Sequence, residues 1–388
     1  MSETSDNTTT PSRSQAREVR EEDAFDVEAL AAWLRDNADP DWAGSIEGTP
    51  EVRQFAGGAS NLTYLLTYPQ GTELILRRPP GGTKSKGAHN MGREYRIQTA
   101  LRPHFPPVPA TVALCEDESV IGSSFYVMER VTGPIPRQEL PPEGPHSAAD
   151  VTTLCENVVD LLVDLHRVPV DETGLDDLNK GEGYIDRQVE GWAKRYTAAR
   201  TPNVGSFKKV MDWLRINEPA DRGSVLIHND FRLDNIVLNP EDSTDPIALL
   251  DWELATIGDP LMDIGGALAY WVQADDDWVI RQFRRQPTHV PGMFTRHEFV
   301  ARYASKTGIE ITDDQWVFYE VFGLFRLAGI CQQIYYRYYH RQTTNKAFRT
   351  FGIATVALEA RCRRIIRRTE RRRRKGVAPT PLTERTSS

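Results

Sequence analysis

The chain has 388 residues, of which 39% are hydrophobic and 26% are charged. This composition is ordinary for a globular protein, and the length suits two or three domains or one large bilobal unit. No run approaches the roughly 18 apolar residues that a membrane span needs, and the polar N-terminus lacks the apolar core of a secretory signal. We therefore expect a cytoplasmic protein with no membrane partner.

The spacing of the cysteines and histidines argues against two kinds of site. The four cysteines lie far apart and form no CxxC pair, which favours isolated thiols in a reducing compartment. The eight histidines show neither HExxH nor HxxxH spacing, so the sequence gives no support for a histidine-based metal site.

Charge is spread unevenly along the chain. Residues 361–388 carry a net charge of +9, which leaves −17 on the other 360 residues of a chain whose total is −8. This basic tail could bind nucleic acid or an anionic surface, or it could be a frayed helix end followed by a disordered segment. We favour the second interpretation and expect no nucleic-acid partner, because the body is acidic and no aromatic residues interleave with the arginines.

The first third of the chain predicts a small sheet. Residues 1–22 are polar and are expected to be disordered, and residues 26–38 have the apolar spacing of a helix. Residues 52–80 indicate three strands separated by glycine turns, residues 92–101 a helix, and residues 112–131 a two-stranded hairpin. We therefore assign residues 23–131 to a β-rich N-terminal lobe with a leading helix.

The rest of the chain is mainly helical. Residues 132–147 are rich in proline and glycine and form the best internal boundary. Residues 151–168 and 314–342 carry apolar faces at helical spacing, so residues 148–360 are assigned to a larger helical lobe. The fold class is thus α+β and bilobal, and a cleft between two lobes is a common place for a ligand.

One polar stretch, HNDFRLDN at residues 228–235, lies between two apolar runs. The second run leads through a predicted hairpin to Asp251, so buried strands deliver Asp230 and Asp251 at their ends. Phosphoryl transfer to a hydroxyl needs a base, for which Asp230 is suited, and Mg²⁺ prefers oxygen ligands such as those of Asn235 and Asp251. The alternative is a polar turn with local side-chain caps.

These motifs resemble those of the aminoglycoside phosphotransferase family, a branch of the protein-kinase-like fold, and the likeness runs from about residue 50 to residue 345. HNDFRLDN is similar to the family's HxDxxxxN loop, and LLDWELATIGDPLMDIG to its second acidic motif. The resemblance implies that Asp230 is the catalytic aspartate and that Asn235 and Asp251 bind Mg²⁺. It implies that Asp263 braces the loop, and it leaves Asp259 and Glu253 without a role.

The segment FAGGASNLTYLL is located where the family has its phosphate-covering loop. Glycines there let the backbone approach phosphate closely, and polar side chains add donors. The resemblance therefore assigns ATP contacts to Gly57, Gly58, Ser60 and Asn61. A glycine hairpin turn without a ligand is the alternative.

Further nucleotide contacts follow from the same resemblance. Arg77 in ELILRRPP occupies the position of the basic residue that grips the α- and β-phosphates, with Arg78 as the alternative one residue along. Glu94 matches the helical glutamate that pairs with this base. A surface ion pair between Arg77 and Glu94 is the alternative. Backbone groups of Glu129 and Val131 would hydrogen-bond adenine.

The late helix indicates the acceptor. It carries Arg326 and Arg337, which are eleven residues apart and can share a face, with Tyr335 among several aromatic neighbours. Such a face suits a small anionic substrate with an apolar portion, whereas an aminoglycoside site should be lined with carboxylates. A core helix with snorkelling arginines is the alternative.

A closer resemblance supports the anionic acceptor. The segments GYIDRQVEGW and GLFRLAGICQQIYYRYY are similar to the kinase-like domain fused to some acyl-CoA dehydrogenases and to its free-standing bacterial relatives. This implies an ATP- and Mg²⁺-dependent kinase acting on hydroxyacyl-CoA, with an acyl-CoA dehydrogenase as a possible partner. The alternatives are an antibiotic or small-alcohol kinase and a non-catalytic nucleotide-binding module.

Overall fold

The computed structural model describes residues 16–55, 61–80 and 91–382. The chain divides into two compact units, Met1–Val131 and Thr132–Ser388, which are taken in turn below. Among the described residues, no helix combines the length and the apolar character that crossing a bilayer requires.

The N-terminal unit is built on a six-stranded antiparallel sheet with the strand order β1-β2-β3-β4-β6-β5. The strands are β1 Ala16–Arg17, β2 Glu51–Phe55, β3 Leu62–Thr67, β4 Glu73–Arg78, β5 Thr111–Cys115 and β6 Phe125–Glu129. Two helices accompany them, α1 Val27–Asn37 and α2 Met91–Leu101.

Side-chain alternation along β3 and β4 divides the core of this unit between the two faces of the sheet. Tyr64, Leu74 and Leu76 pack in one cluster with residues of α1, whereas Leu65 and Ile75 pack in a second cluster with the start of α2. Because successive strand residues point to opposite faces, Arg77 and Arg78 at the end of β4 must also lie on opposite faces.

The sequence predicted disorder as far as residue 22, whereas residues 16–23 contain a strand and a short 3₁₀ turn. Ala16 and Arg17 pair with Gln54 and Phe55 at the edge of the sheet. Asp23 is buried, and its carboxylate accepts a hydrogen bond of 2.9 Å from the Gln54 side chain. A polar segment is thus held by buried hydrogen bonds, which composition alone does not reveal.

The C-terminal unit is mainly helical. Its helices are α3 Ala148–His166, α4 Val170–Thr173, α5 Tyr184–Ala199, α6 Lys208–Ile216, α7 Pro260–Leu268, α8 Trp278–Arg281, α9 Arg296–Thr307, α10 Asp313–Tyr339 and α11 Thr350–Arg374. Its strands are β7 Val225–Ile227, β8 Ile236–Leu238, β9 Pro246–Leu249 and β10 Thr256–Gly258. The strands form two antiparallel pairs, β7 with β10 and β8 with β9.

The long helix α10 is the centre of this unit, since it packs against α5, α7 and α11. A capping box at Thr312 starts it. Its contact with α7 depends on two glycines, because a Cβ atom on Gly323 would lie 1.9 Å from the carbonyl oxygen of Gly265. This close approach brings the middle of α10 next to the segment that carries Asp263.

Residues 361–382 of the basic tail are folded, which corrects the expectation of a frayed end followed by disorder there, whereas residues 383–388 lie outside the described residues. Helix α11 continues through residue 360 to Arg374, and Cys362, Ile366 and Thr369 on it are buried. Beyond the helix, Thr380 and Leu382 hydrogen-bond the backbone at the start of α10. Acidic partners hold the arginines, in the pairs Arg361–Asp276, Arg364–Asp277, Arg372–Asp313 and Arg373–Asp314.

We predict that deleting residues 361–388 lowers the melting temperature by about 10 °C or more, because the deletion exposes the core beneath α11 and removes Arg361, one of the two arginines that pair with the Asp276 carboxylate. Differential scanning calorimetry measures this. Arg368→Ala is the matched control, since Arg368 is exposed on the same helix and its loss should change little. If the deletion variant has the same melting temperature as the intact chain, the tail does not contribute to the stability of the helical unit.

Candidate active site

The loop after β7 is held by one carboxylate, that of Asp263 on α7. Its Oδ2 accepts the backbone N–H of His228 at 2.9 Å, and its Oδ1 accepts that of Asn229 at 2.8 Å. Asn229 has a φ of 63°, a left-handed conformation that asparagine tolerates better than most residues. Asp263 therefore fixes the turn that leads into Asp230, which is the bracing role that the sequence resemblance implied.

A buried histidine and tyrosine stand behind Asp263. The Nε2 atom of His166 lies 3.2 Å from Asp263 Oδ2, and its Nδ1 lies 2.7 Å from the Tyr303 hydroxyl. Burial by itself raises the pKa of the Asp263 carboxyl, but the hydrogen bonds from His166 and from the His228 N–H outweigh it and lower that pKa. Asp263 is thus an ionised acceptor that ties α3 and α9 to the loop.

His228 is a neutral ring that links the loop containing Asp230 to the segment that leads to Asp251. Its Nε2 lies 3.0 Å from the carbonyl oxygen of Leu250, so this nitrogen must carry the proton and donate. Its Nδ1 accepts the backbone N–H of Asp230 at 3.2 Å, and burial lowers the pKa of His228, which keeps the ring neutral. One imidazole therefore sets the distance between the Asp230 backbone and the residue before Asp251.

Asp230 is largely enclosed, with 18% of its side chain exposed. Burial raises the pKa of Asp230 to about 6, the cation of Arg232 opposes that rise, and the neighbouring Asp251 carboxylate adds to it. The Arg232 Nε atom lies 3.4 Å from Asp230 Oδ1. A carboxylate with a pKa near neutrality is suited to accept a proton from a hydroxyl group.

Asn235 is oriented by Asp230. Its amide nitrogen donates to the Asp230 carbonyl oxygen at 2.9 Å and to the Asp230 carboxylate at 3.2 Å, which turns the amide oxygen of Asn235 to the other side. Its backbone carbonyl accepts the N–H of Leu250 at 2.8 Å, and Asp251 follows in a left-handed conformation with a φ of 69°. Two hydrogen bonds of the Leu250 backbone, one from His228 and one to the Asn235 carbonyl, therefore join the loop to the segment that contains Asp251.

The donor chemistry of this cluster fits Mg²⁺. Within the described part of the chain, no group of three or more His, Cys, Asp or Glu side chains is arranged to enclose a metal ion. An open site made of carboxylate and amide oxygens, completed by substrate phosphates, is how proteins commonly hold Mg²⁺. The negative charge of Asp251 also raises the pKa of Asp230, and a bound cation would offset this repulsion.

In the N-terminal unit, Arg77 and Glu94 form a buried ion pair. The Arg77 Nη1 atom donates to Glu94 Oε1 at 2.6 Å, and the two side chains are 10% and 2% exposed, so this is not a surface pair. Next to them, Gln98 donates to the Tyr126 hydroxyl at 3.1 Å, and burial followed by the Glu94 charge raises the pKa of that hydroxyl.

Arg78 has a different environment on the opposite face of the sheet. Its guanidinium donates to the carbonyl oxygens of Asp23 and Ile121 and to the Tyr64 hydroxyl. It also lies 5.0 Å over the Phe25 ring. Of the two candidate bases, Arg78 is thus fixed in the core of the unit, and Arg77 is the one beside Glu94.

The other predicted nucleotide contacts are placed as follows. Gly57, Gly58 and Ser60 lie outside the described residues, and Asn61 is buried at the start of β3. The N–H of Glu129 donates to the Ala110 carbonyl at 2.7 Å, so this group is already hydrogen-bonded within the unit. Val131, two residues on, is half-buried.

The three predicted acceptor residues of α10 separate in the structure. Arg326 reaches the catalytic loop, where its Nη2 donates to the carbonyl oxygen of Asn229 at 2.6 Å. Tyr335 is buried against Gly352 of α11, and its hydroxyl accepts a 2.7 Å hydrogen bond from Asn203. Arg337 is exposed, eleven residues and about 16 Å along the helix from Arg326. Only Arg326 therefore belongs to the site geometry.

Sequence reasoning missed several residues of this site. Arg232, inside the quoted loop, contacts Asp230, and His166 lies far away in sequence on α3. Asp259, left without a role, caps α7, where its Oδ1 accepts the N–H groups of Leu261 and Met262. An aspartate followed by proline at a helix start is a recognisable signal for that cap.

A β-rich unit with a buried arginine–glutamate pair, followed by a helical unit with this aspartate loop, defines the protein-kinase-like fold. The predicted α+β fold class is confirmed. A protein-family model described as the phosphotransferase enzyme family matches residues 51–299. This chain belongs to that family and is a kinase.

Individual relatives agree with this assignment. Acyl-CoA dehydrogenase family member 10 of Mus musculus is 35% identical over 344 residues, which cover 88% of this chain and 31% of that protein. The chain thus spans about a third of the length of this curated relative. The resemblance to the kinase-like domain of such proteins is confirmed.

Solved structures give the same fold. A Ralstonia eutropha crystal structure, provisionally described as an aminoglycoside phosphotransferase, has a TM-score of 0.74 at 32% identity and covers 89% of this chain and 99% of that one. An aminoglycoside phosphotransferase in complex with AMP-PNP and hygromycin B has a TM-score of 0.54 at 13% identity, with 87% and 98% covered. The second likeness supports the fold alone.

We predict that Asp263→Asn destabilises the C-terminal unit by about 3 kcal/mol, because an amide can no longer accept all the N–H groups that the carboxylate accepts. Urea unfolding measures the loss. Asp275→Asn is the control, since Asp275 is exposed and the same change there should cost less than about 0.5 kcal/mol. Equal stability of the two variants would contradict the bracing role.

Proposed function

We propose that this chain transfers the γ-phosphoryl group of ATP to a hydroxyl of a small anionic molecule with an apolar portion, for which hydroxyacyl-CoA is the favoured candidate. The observation that carries the proposal is the Asp230 carboxylate, enclosed, with its pKa raised by burial to about 6, and joined to Asn235 and Asp251.

In this proposal Asp230 orients the acceptor hydroxyl and takes its proton. Asn235 and Asp251 would hold Mg²⁺, which when bound neutralises phosphate charge and orients the triphosphate. Arg77, held by Glu94, would contact the α- and β-phosphates, because a guanidinium can grip phosphate oxygens in a bidentate manner. Nucleotide binding is thus assigned to the N-terminal lobe and acceptor binding to the helical lobe.

The charge beside the loop supports an anionic acceptor. The guanidinium of Arg195 lies 4.1 Å over the Trp192 ring, and that of Arg326 lies 5.7 Å from the same ring. The pKa of Arg195 is lowered by burial and then by the charge of Arg326, so the two cations feel each other. Neither forms an ion pair with a carboxylate in the described ranges, and Arg326 acts on the Asp230 carboxyl only through its charge, so a bound anion would be attracted to both arginines while a polycation would be repelled.

The acyl-CoA assignment draws on the kinship with acyl-CoA dehydrogenase family member 10. Phosphorylation of the hydroxyl of a hydroxyacyl thioester would replace hydroxide, a poor leaving group, with phosphate, a good one. A dehydrogenase acting on related thioesters is therefore the partner we propose. The provisional description of the Ralstonia eutropha relative keeps an antibiotic acceptor as the second candidate.

We predict that Asp230→Asn lowers turnover by roughly 10²–10⁴-fold, because the amide keeps the size of the side chain but cannot accept the hydroxyl proton. Coupled measurement of ADP release gives the turnover, and calorimetric titration with AMP-PNP gives nucleotide affinity. The affinity should change little. A dominant loss of nucleotide binding would assign Asp230 to the metal or to structure instead.

Asp251→Ala is the complementary variant. It leaves Asn235 as a neutral, weaker ligand, so we expect Mg²⁺-dependent AMP-PNP binding and turnover both to be lost. Nucleotide binding measured with and without Mg²⁺ separates this variant from Asp230→Asn. Near-normal turnover at modest Mg²⁺ concentration would remove Asp251 from the site.

The acceptor is tested by a side-by-side screen of 4-hydroxyacyl-CoA, kanamycin and choline for ATP-dependent phosphorylation. We expect turnover with the thioester alone. Arg195→Glu should raise the KM for the thioester at least about tenfold through charge repulsion. Arg200→Glu on the surface after α5 is the matched charge control. Rapid kanamycin phosphorylation with no response to the thioester would refute the anionic acceptor.

A further inference from the structure

The C-terminal unit contains an apolar cavity of about 100 Å³ that the proposed chemistry has not used. It lies between the end of α7, the middle of α10 and the start of α11. Leu268, Tyr270, Leu327, Cys331, Ala354 and Leu358 are among the residues that line it. Most of the lining side chains are hydrophobic, with Arg285, Arg296, Glu320 and Arg361 as the charged exceptions, so the space suits an apolar group.

One residue connects this cavity to the catalytic loop. Tyr270 forms part of the cavity wall, and its ring lies 5.0 Å from the guanidinium carbon of Arg232. The Nε atom of Arg232 is in turn 3.4 Å from Asp230 Oδ1. A single aromatic ring and one guanidinium therefore separate the cavity from the proposed base.

Helix α10 provides a second connection. Leu324 and Leu327 line the cavity, while Arg326 between them donates to the loop at Asn229. This turn of α10 therefore has the apolar cavity on one side. On its other side it carries the guanidinium of Arg326, which suits an anion. Such a juxtaposition matches a molecule with an apolar end and a charged end.

We propose that this cavity binds the apolar chain of the acceptor whose hydroxyl lies at Asp230. The inference rests on the proposed function for the position of that hydroxyl. An apolar cavity of about 150 Å³ holds one benzene molecule, so this smaller space holds a chain end of a few carbons. Filling it restores dispersion contacts that its lining otherwise lacks.

Binding of saturated thioesters tests the cavity without any phosphoryl transfer. Acetyl-, butanoyl-, hexanoyl- and octanoyl-CoA are titrated into the full-length protein by calorimetry. With the hydroxyl-bearing C4 at Asp230, acetyl- and butanoyl-CoA place no carbon in the cavity and should bind alike. Because each buried methylene contributes about 0.8 kcal/mol, the Kd should then fall about tenfold for each two-carbon step beyond C4 until the cavity is full. A Kd that does not depend on chain length in the unmodified protein would overturn the proposal.

Ala354→Leu places a larger side chain in the cavity. We expect it to abolish the dependence on chain length while acetyl-CoA binds as before. Its melting temperature should equal or exceed that of the unmodified protein, because it fills an existing space. Ala360→Leu, the same change at an exposed site on α11, is the control and should keep the full series. An unaltered series in Ala354→Leu would overturn the proposal.

Leu358→Ala is a second test of the cavity, which applies even if Ala354→Leu fails to fold. It enlarges the cavity, so the chain length of tightest binding should increase by two carbons or more, and no increase would count against the cavity. These binding measurements do not depend on phosphoryl transfer. If 4-hydroxyacyl-CoA is not phosphorylated while the thioester series responds to Ala354→Leu, the proposed function fails and the cavity assignment holds.

Discussion

The structure of the C-terminal unit depends on one buried carboxylate, that of Asp263. It accepts two consecutive backbone N–H groups of the loop and pairs with a side-chain nitrogen from α3, so one residue on α7 fixes three groups from two distant parts of the sequence. The two carboxylate oxygens divide this work, since Oδ1 accepts the N–H of Asn229 and Oδ2 accepts the N–H of His228. The glycines that bring α7 close to α10 therefore also set the position of the loop.

The two histidines of this network have different tasks because their partners differ. His166 contacts an ionised carboxylate and a tyrosine hydroxyl, whereas His228 donates to one backbone carbonyl and accepts one backbone N–H. Both rings act as spacers of fixed length. Position, rather than proton exchange, is what these imidazoles supply to the site, in keeping with a reaction that depends mainly on placement and charge.

The sequence was most informative where local patterns carry the structure. Helix α10 and the hairpin β8–β9 follow from apolar periodicity, and the loop containing Asp230 follows from a compact motif. Contacts at long range were not accessible in that way, as with Arg232 over Tyr270 or His166 at Asp263. The folded tail was misjudged because a run of arginines looks solvated until its acidic partners, such as Asp276 and Asp313, are brought beside it.

The return of the chain to the start of α10 has a geometric consequence for fusion. Residues 380–382 are hydrogen-bonded to Ile311 and Asp313, so any polypeptide joined after them leaves from that fixed point on the surface of the helical unit. A tethered enzyme would then sample a volume centred there, with a local concentration set by linker length and stiffness. Shortening the linker would raise that concentration only until the linker can no longer reach the sites it must connect.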